Sequence, residues 1–200
     1  MKKIGLFGGT FNPVHNGHVR LLKTADENMC FDELIVMPSK IPPHKKAEGL
    51  VSGKHRVNML RLAFEDSGKV SVSDYELKRR GKSYSVYTLR YLKKQYPDDK
   101  LYFIMGSDML LCFDKWYRYE EILTMTSLVC LSRDDEDTSE KLRECADKLR
   151  EKGAEVILLD AEPYELSSSE IRQKLRESQD CSCYLPKKIV QYICDNKLYR

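Results

Sequence analysis

The apolar run from Ile4 to Phe7 leads directly into Gly8-Gly9-Thr10-Phe11-Asn12-Pro13-Val14-His15-Asn16-Gly17-His18. A buried strand, a tight turn and a helix start are compressed into about fifteen residues, and few arrangements other than strand–turn–helix accept that order. Such a junction aims free backbone N–H groups and the positive end of a helix dipole at whatever lies above it, which favours an anion. The phosphates of a nucleotide are the expected occupant. The turn is not a Walker A loop, since no Gly-Lys-Ser/Thr follows, and it lacks the G-x-G-x-x-G fingerprint. Residues three apart at a helix start lie on nearly the same face, so His15 and His18 can both point over the turn. Gly17 between them permits close approach. A metal pair stays open, although no third and fourth ligands stand at a family spacing.

Downstream, helical and extended patterns alternate. Val19, Leu22, Ala25 and Met29 predict a helix over about 18–28. Glu33 to Met37 predicts a short strand, ended by Pro38-Ser39. Two adjacent prolines make 40–46 a basic loop at that strand's carboxyl end. Ser52 is expected to cap a helix carrying Val57, Leu60 and Phe64. Val70 to Tyr75 alternates as a strand does, and Ser83 is expected to cap a helix with Val86, Leu89 and Leu92 inward. Leu101 to Met105 reads as a central parallel strand ended by Gly106-Ser107-Asp108. Leu128–Leu131 and Val156–Leu159 are further strands. Helices are expected over about 139–152, 168–176 and 186–196, and Arg133 to Asp137 as a charge-dense, solvated loop. The resulting fold class is α/β: a single Rossmann-like, doubly wound parallel sheet with helices on both faces. Ligands of such sheets bind beyond the strands' carboxyl ends, where the strand order reverses.

Two hundred residues suit one such domain, with helices from about 167 onward packed on it. An apolar fraction of 42% and a charged fraction of 32% are those of a folded globular chain. A formal charge of +3 is too small to indicate nucleic-acid binding, but it fits a local basic site for a polyanionic small molecule. No run approaches the length needed to cross a membrane, so no membrane partner is expected. Seven scattered cysteines, with no C-x-x-C, read as reduced thiols of a cytoplasmic protein, and those beside apolar residues, such as Cys130 and Cys194, as core thiols. Cys181-Ser182-Cys183 reads as an ordinary loop.

The H-x-G-H stretch resembles the signature of a nucleotidyltransferase superfamily. In the form Gly8-Gly9-Thr10-Phe11-Asn12-Pro13-x-His15-x-Gly17-His18 it is similar to the bacterial nicotinate-nucleotide adenylyltransferase family. Later motifs agree in order and spacing. Pro42-Pro43-His44-Lys45 resembles the family's P-P-H-K loop, and Ser83-Tyr84-Ser85 with Thr88-Leu89 resembles its S-Y-T-x-x-T-L helix start. Gly106, Asp108 and Trp116 resemble G-x-D…W, and Leu166 to Arg172 resembles I-S-S-T-x-I-R. The resemblance spans nearly the whole chain.

It implies a nucleotidyltransferase domain over 1–200 that transfers AMP from ATP to nicotinate mononucleotide, with Mg²⁺ accompanying ATP. The phosphate nucleophile is already an anion, so the chemistry calls for positioning and charge neutralisation rather than a general base. The resemblance implies His15, His18, Lys45 and Arg172 as catalytic residues. For ATP it implies Gly8, Gly9, Thr10, Phe11, Gly106, Asp108, Ser168 and Ser169 in addition. For the mononucleotide it implies Thr10, His44, Lys45, Ser85, Trp116, Tyr117 and Arg133. Ser85 stands where the family has threonine and keeps the hydroxyl. At Arg133 the family often reads Arg-Pro-Gly, whereas this chain has Arg133-Asp134-Asp135. Ser167-x-x-Glu170 is also a capping box on its own terms. Trp116 and Lys45, taken singly, read as core and as solvated lysine. No nucleic-acid partner is expected, because aromatic and basic residues are not interleaved. A homo-oligomer is left open.

Overall fold

Period-two alternation in the strands decides the layering. In β1 (Lys3–Gly9) Ile4 and Leu6 face one side of the sheet and Phe7 the other. β2 (Glu33–Pro38) divides Ile35 and Met37 from Leu34 and Val36, and β4 (Lys100–Gly106) divides Leu101, Phe103 and Met105 from Tyr102 and Ile104. β5 (Ser127–Ser132) follows the same rule. Strands apolar on both faces can only be central strands covered by helices on both sides. With β3 (Val70–Val72) and β6 (Val156–Asp160) they form a six-stranded, all-parallel sheet of order β3-β2-β1-β4-β5-β6. The computed structural model describes residues 1–41, 49–132, 136–161 and 166–200, and of 136–138 the backbone alone. His44, Lys45 and Arg133 lie outside the described residues.

One face is covered by α1 (Asn16–Met29), α2 (Gly53–Ala63), α8 (Ser168–Arg176) and α9 (Lys187–Asp195). Leu21, Leu22, Leu60, Ile171, Ile189 and Ile193 supply their buried contacts, each worth about 1.5–3 kcal/mol of transfer free energy. The other face is covered by α4 (Ser85–Gln95), α6 (Tyr119–Met125) and α7 (Glu136–Glu151) through Val86, Leu89, Ile122, Leu142 and Leu149. As expected, Ser52 caps α2, its hydroxyl accepting the His55 N–H at 3.4 Å. The Ser167–Glu170 box caps α8 in both directions, at 3.3 and 2.7 Å.

Four local expectations change. β3 stops at Val72, because the alternating stretch after it turns into the short α3 (Tyr75–Lys78). Ser83 does not cap α4; its oxygen instead accepts the Lys40 N–H at 2.8 Å. The helix foreseen over 139–152 begins at Glu136, so part of the charged stretch before it is helical. Cys194 is exposed rather than in the core, and so are Cys30 and Cys183, while Cys130 and Cys181 are buried.

Candidate active site

The strand order reverses between β1 and β4, and both strands end in glycine, Gly9 and Gly106. Beyond those carboxyl ends opens a cleft of about 840 Å³. Every sequence-derived candidate among the described residues lines it. Gly8, Gly9, Thr10, Phe11, His15, His18, Ser168, Ser169 and Arg172 form one end, and Ser85, Gly106, Asp108, Trp116 and Tyr117 line it as well.

The turn after β1 is held by side chains rather than by regular structure. Phe11 adopts a left-handed backbone conformation with φ of 49°, which costs a bulky residue free energy. Its ring is buried against Phe7 and His18, with centroids 5.4 and 5.0 Å away, and that packing offsets the strain. Gly9 is required under it, since a Cβ there would stand 2.8 Å from the Phe11 ring. Gly8 has more room: its nearest side-chain atom would be 3.6 Å away. Asn12, joined to Pro13 by a cis peptide, is the hub. Its Nδ2 donates to the Gly49 carbonyl at 2.9 Å, and its Oδ1 accepts from the Val51 N–H at 3.2 Å. Its backbone carbonyl accepts from Arg172 at 2.8 Å. The Ser168 hydroxyl donates to the Pro13 carbonyl at 3.0 Å, so the start of α8 is fastened directly to the turn.

His15 stands at the N-cap of α1 and is buried; His18 is one turn in and half-buried. Their rings lie 3.7 Å apart between centroids. The His15 backbone N–H donates to Nδ1 of His18 at 3.3 Å. A neutral imidazole with one nitrogen accepting carries its proton on the other, so this bond assigns the His18 proton to Nε2. Arg172 donates a second hydrogen bond to Ser169 Oγ at 3.1 Å, and its buried Nε meets no acceptor among the described residues. Backbone N–H groups at the starts of α1 and α8, hydroxyls, an imidazole and a guanidinium thus share one rim. That donor set suits phosphate oxygens.

Elsewhere along the cleft the chemistry is aromatic. Trp116 follows a 3₁₀ turn (Phe113–Lys115) and is half-buried against Phe113 and Phe103, at 5.3 and 5.8 Å between centroids. It serves the core and lines the cleft at once. Tyr117 is exposed, and its ring lies 4.8 Å from that of Tyr84. Ser85 opens α4 beside them. Asp108, in the short α5 (Ser107–Leu110), is exposed at the carboxyl end of β4.

A family model described as cytidylyltransferase-like matches residues 6–174. A Carboxydothermus hydrogenoformans protein named as a probable nicotinate-nucleotide adenylyltransferase is 41% identical over 99% of this chain and 98% of its own length. The nicotinate-nucleotide adenylyltransferase of Bacillus subtilis is 34% identical over 100% of this chain and 99% of its own. This chain belongs to the nicotinate-nucleotide adenylyltransferase family. The Plasmodium falciparum nicotinic acid mononucleotide adenylyltransferase complexed with NaAD shares the fold at 22% identity, with a TM-score of 0.79 over 100% of this chain and 98% of that one.

Three residues that sequence reasoning missed support the cleft. Arg56, in α2, is 2% exposed, and its guanidinium donates to the carbonyls of Thr10 at 2.9 Å, Ser39 at 2.6 Å and Val51 at 3.3 Å. Burial lowers its pKa, yet an arginine starts high enough to keep its charge. The signal was present: Arg56 lies three and four residues before the buried Met59 and Leu60, on the inward face. Tyr199 reaches Asn12 from the far end of the chain, and Glu76 lies buried in the cleft wall. Neither carries a local sequence signal. Among the described residues no helix is long and apolar enough to cross a membrane.

Proposed function

We propose that this chain transfers AMP from ATP to nicotinate mononucleotide, giving deamido-NAD (nicotinic acid adenine dinucleotide) and pyrophosphate, a step of NAD biosynthesis. The observation that carries the reading is one cleft holding both a phosphate-type donor set around His15, His18 and Arg172 and an aromatic wall at Trp116 and Tyr117. A two-substrate phosphoryl transfer needs that combination.

In the reaction a phosphate oxygen of the mononucleotide attacks the α-phosphorus of ATP in line. The new P–O bond forms as the bond to the β-phosphate bridge breaks, and the electron pair leaves with pyrophosphate. No proton has to be removed from the nucleophile, so the residues act by orientation and charge stabilisation. His18, with its proton on Nε2, donates to a phosphate oxygen, and His15 acts beside it. The amides of Gly8, Gly9 and Thr10 allow the close approach of ATP that Phe11 and Gly9 pre-shape. Ser168, Ser169 and Arg172 take the leaving phosphates, and Gly106 and Asp108 the ATP ribose. Ser85, Trp116 and Tyr117 receive the pyridine ring and its carboxylate, the ring stacking as a planar heteroaromatic does. On motif alone, His44 and Lys45 are assigned to the phosphate and Arg133 to the carboxylate.

Mg²⁺ belongs to this reading as part of the MgATP substrate. Imidazole, hydroxyl, amide and guanidinium groups complement phosphate oxygens rather than a hard cation, so the ion would enter with the nucleotide and supply charge neutralisation there. Seven free cysteines fit a reducing cytoplasm. Incubating the protein with MgATP and nicotinate mononucleotide should release pyrophosphate and deamido-NAD in equal amounts. Hydrolysis of ATP alone, or no pyrophosphate, would contradict the proposal.

A further inference from the structure

Glu76, in α3, is a carboxyl group buried to 7% exposure in the cleft wall, and no part of the proposed chemistry uses it. A carboxyl survives burial only where hydrogen bonds satisfy it. Here Oε1 of Glu76 accepts from the Thr88 hydroxyl at 2.6 Å, in a bond buried at both ends. The Ser83 hydroxyl lies on the same side and favours the charged form of the Glu76 carboxyl. Ser83 Oγ in turn accepts the Lys40 N–H at 2.8 Å, and Lys40 Nζ donates to the Arg79 carbonyl at 2.9 Å. Three segments therefore meet at one carboxyl: the chain leaving β2 at Lys40, α3 itself, and the start of α4.

The start of α4 is held by the packing of Val86 against the sheet and by the Ser83 N–H, which donates to the Ile41 carbonyl at 3.0 Å. Its N-cap, Tyr84, makes no side-chain capping bond. Thr88, one turn inside the helix, is the side chain that ties it to Glu76. Ser85, its first residue, opens into the cleft, and the Tyr84 ring leans against that of Tyr117 at an interplanar angle of 41°. The hydrogen bonds of Glu76 run to this wall and not to the Gly8–His18 turn. We infer that Glu76 is the positioning residue for the mononucleotide half of the cleft, holding Ser85 and the Tyr84–Tyr117 pair in register with the β2 end. The inference rests on the proposed function, because it assigns Ser85 and Tyr117 to the second substrate.

Steady-state kinetics of Glu76→Ala with each substrate varied in turn test it. The KM for nicotinate mononucleotide should rise about tenfold or more while the KM for ATP stays within twofold, since the turn is untouched. Glu76→Gln, which keeps the shape and an acceptor oxygen, should recover most of the loss. A merely structural carboxyl would move both KM values together or leave both unchanged, and either result overturns the inference. Should Glu76→Ala fail to fold, Thr88→Val decides. It removes the hydroxyl that donates to Glu76 at nearly constant volume, so the mononucleotide KM should rise at least threefold with the ATP KM unmoved; an unmoved mononucleotide KM overturns the inference. The unsubstituted protein is assayed in parallel: if it makes no deamido-NAD, the proposed function fails first, and if it does, the variants judge Glu76 alone.

Discussion

The phenol of Tyr199 donates a 2.9 Å hydrogen bond to the side-chain oxygen of Asn12, across 187 positions of sequence. Tyr199 is buried, and burial raises its pKa, so the hydroxyl stays protonated and able to donate. Together with Val51 and Gly49 it leaves Asn12 one orientation, and the Asn12 carbonyl in turn anchors Arg172. Removing that hydroxyl alone, as in Tyr199→Phe, should cost about 1 kcal/mol of stability, or roughly 2–4 °C in Tm for a chain of this size. The KM for ATP should rise a few-fold. Unchanged Tm and unchanged KM for ATP would show that the contact does not brace the turn.

Arg56 predicts a larger effect. Its guanidinium bridges the ends of β1 and β2 through the Thr10 and Ser39 carbonyls. Arg56→Leu fills the volume but leaves buried acceptors unsatisfied, at about 1–3 kcal/mol for each. Urea unfolding should show a midpoint lowered by about 2–4 kcal/mol of equivalent stability, with an unchanged denaturant slope. A midpoint within error of the unsubstituted protein would contradict the role.

Glu76 sets a pH dependence with a definite sign. Burial pushes its carboxyl above the usual 4.5, against the opposing pull of the Thr88 and Ser83 hydrogen bonds and the Arg79 charge. The folded state therefore holds the proton more tightly than the unfolded chain does. Its contribution to stability is complete below the unfolded value and is lost as pH rises through the folded value. Glu76→Gln cannot ionise, so the stability of the variant relative to the unsubstituted protein should climb upward from about pH 4.5 and then level off. A difference that stays flat from pH 4.5 to 7.5, followed by urea unfolding, would refute the raised pKa.

The sheet and the turn were readable because their signals are local. Strands buried on both faces must be apolar runs, and the glycines, Asn12-Pro13 and the histidines are contiguous. The support behind them was not readable, for a physical reason in each case. Val70 to Tyr75 alternates whether or not the chain stays extended, so the turn into α3, and with it Glu76, was hidden. A serine before a helix pattern reads as a cap, yet the Ser83 hydroxyl is taken by Lys40, forty-three positions away. The Tyr199–Asn12 bond is wholly non-local. α6 is too short and too charged at its start to show a clean helical stripe.

His18 separates catalysis from folding. Its ring accepts one backbone N–H, packs against Phe11 and His15 and lines the cleft, so His18→Ala should lower Tm by only a few degrees. Turnover should fall by about two to three orders of magnitude, the size of effect seen when a preorganised transition-state donor is removed. Turnover within threefold of the unsubstituted protein would remove His18 from the reaction.

The proposed reaction joins AMP to a pyridine mononucleotide bearing a carboxylate. The most direct measurement compares kcat/KM for nicotinate mononucleotide, nicotinamide mononucleotide and phosphopantetheine, each with MgATP, by pyrophosphate release. The highest value should come with nicotinate mononucleotide, with its dinucleotide as the product. A higher kcat/KM with either of the other two acceptors would contradict the proposed reaction.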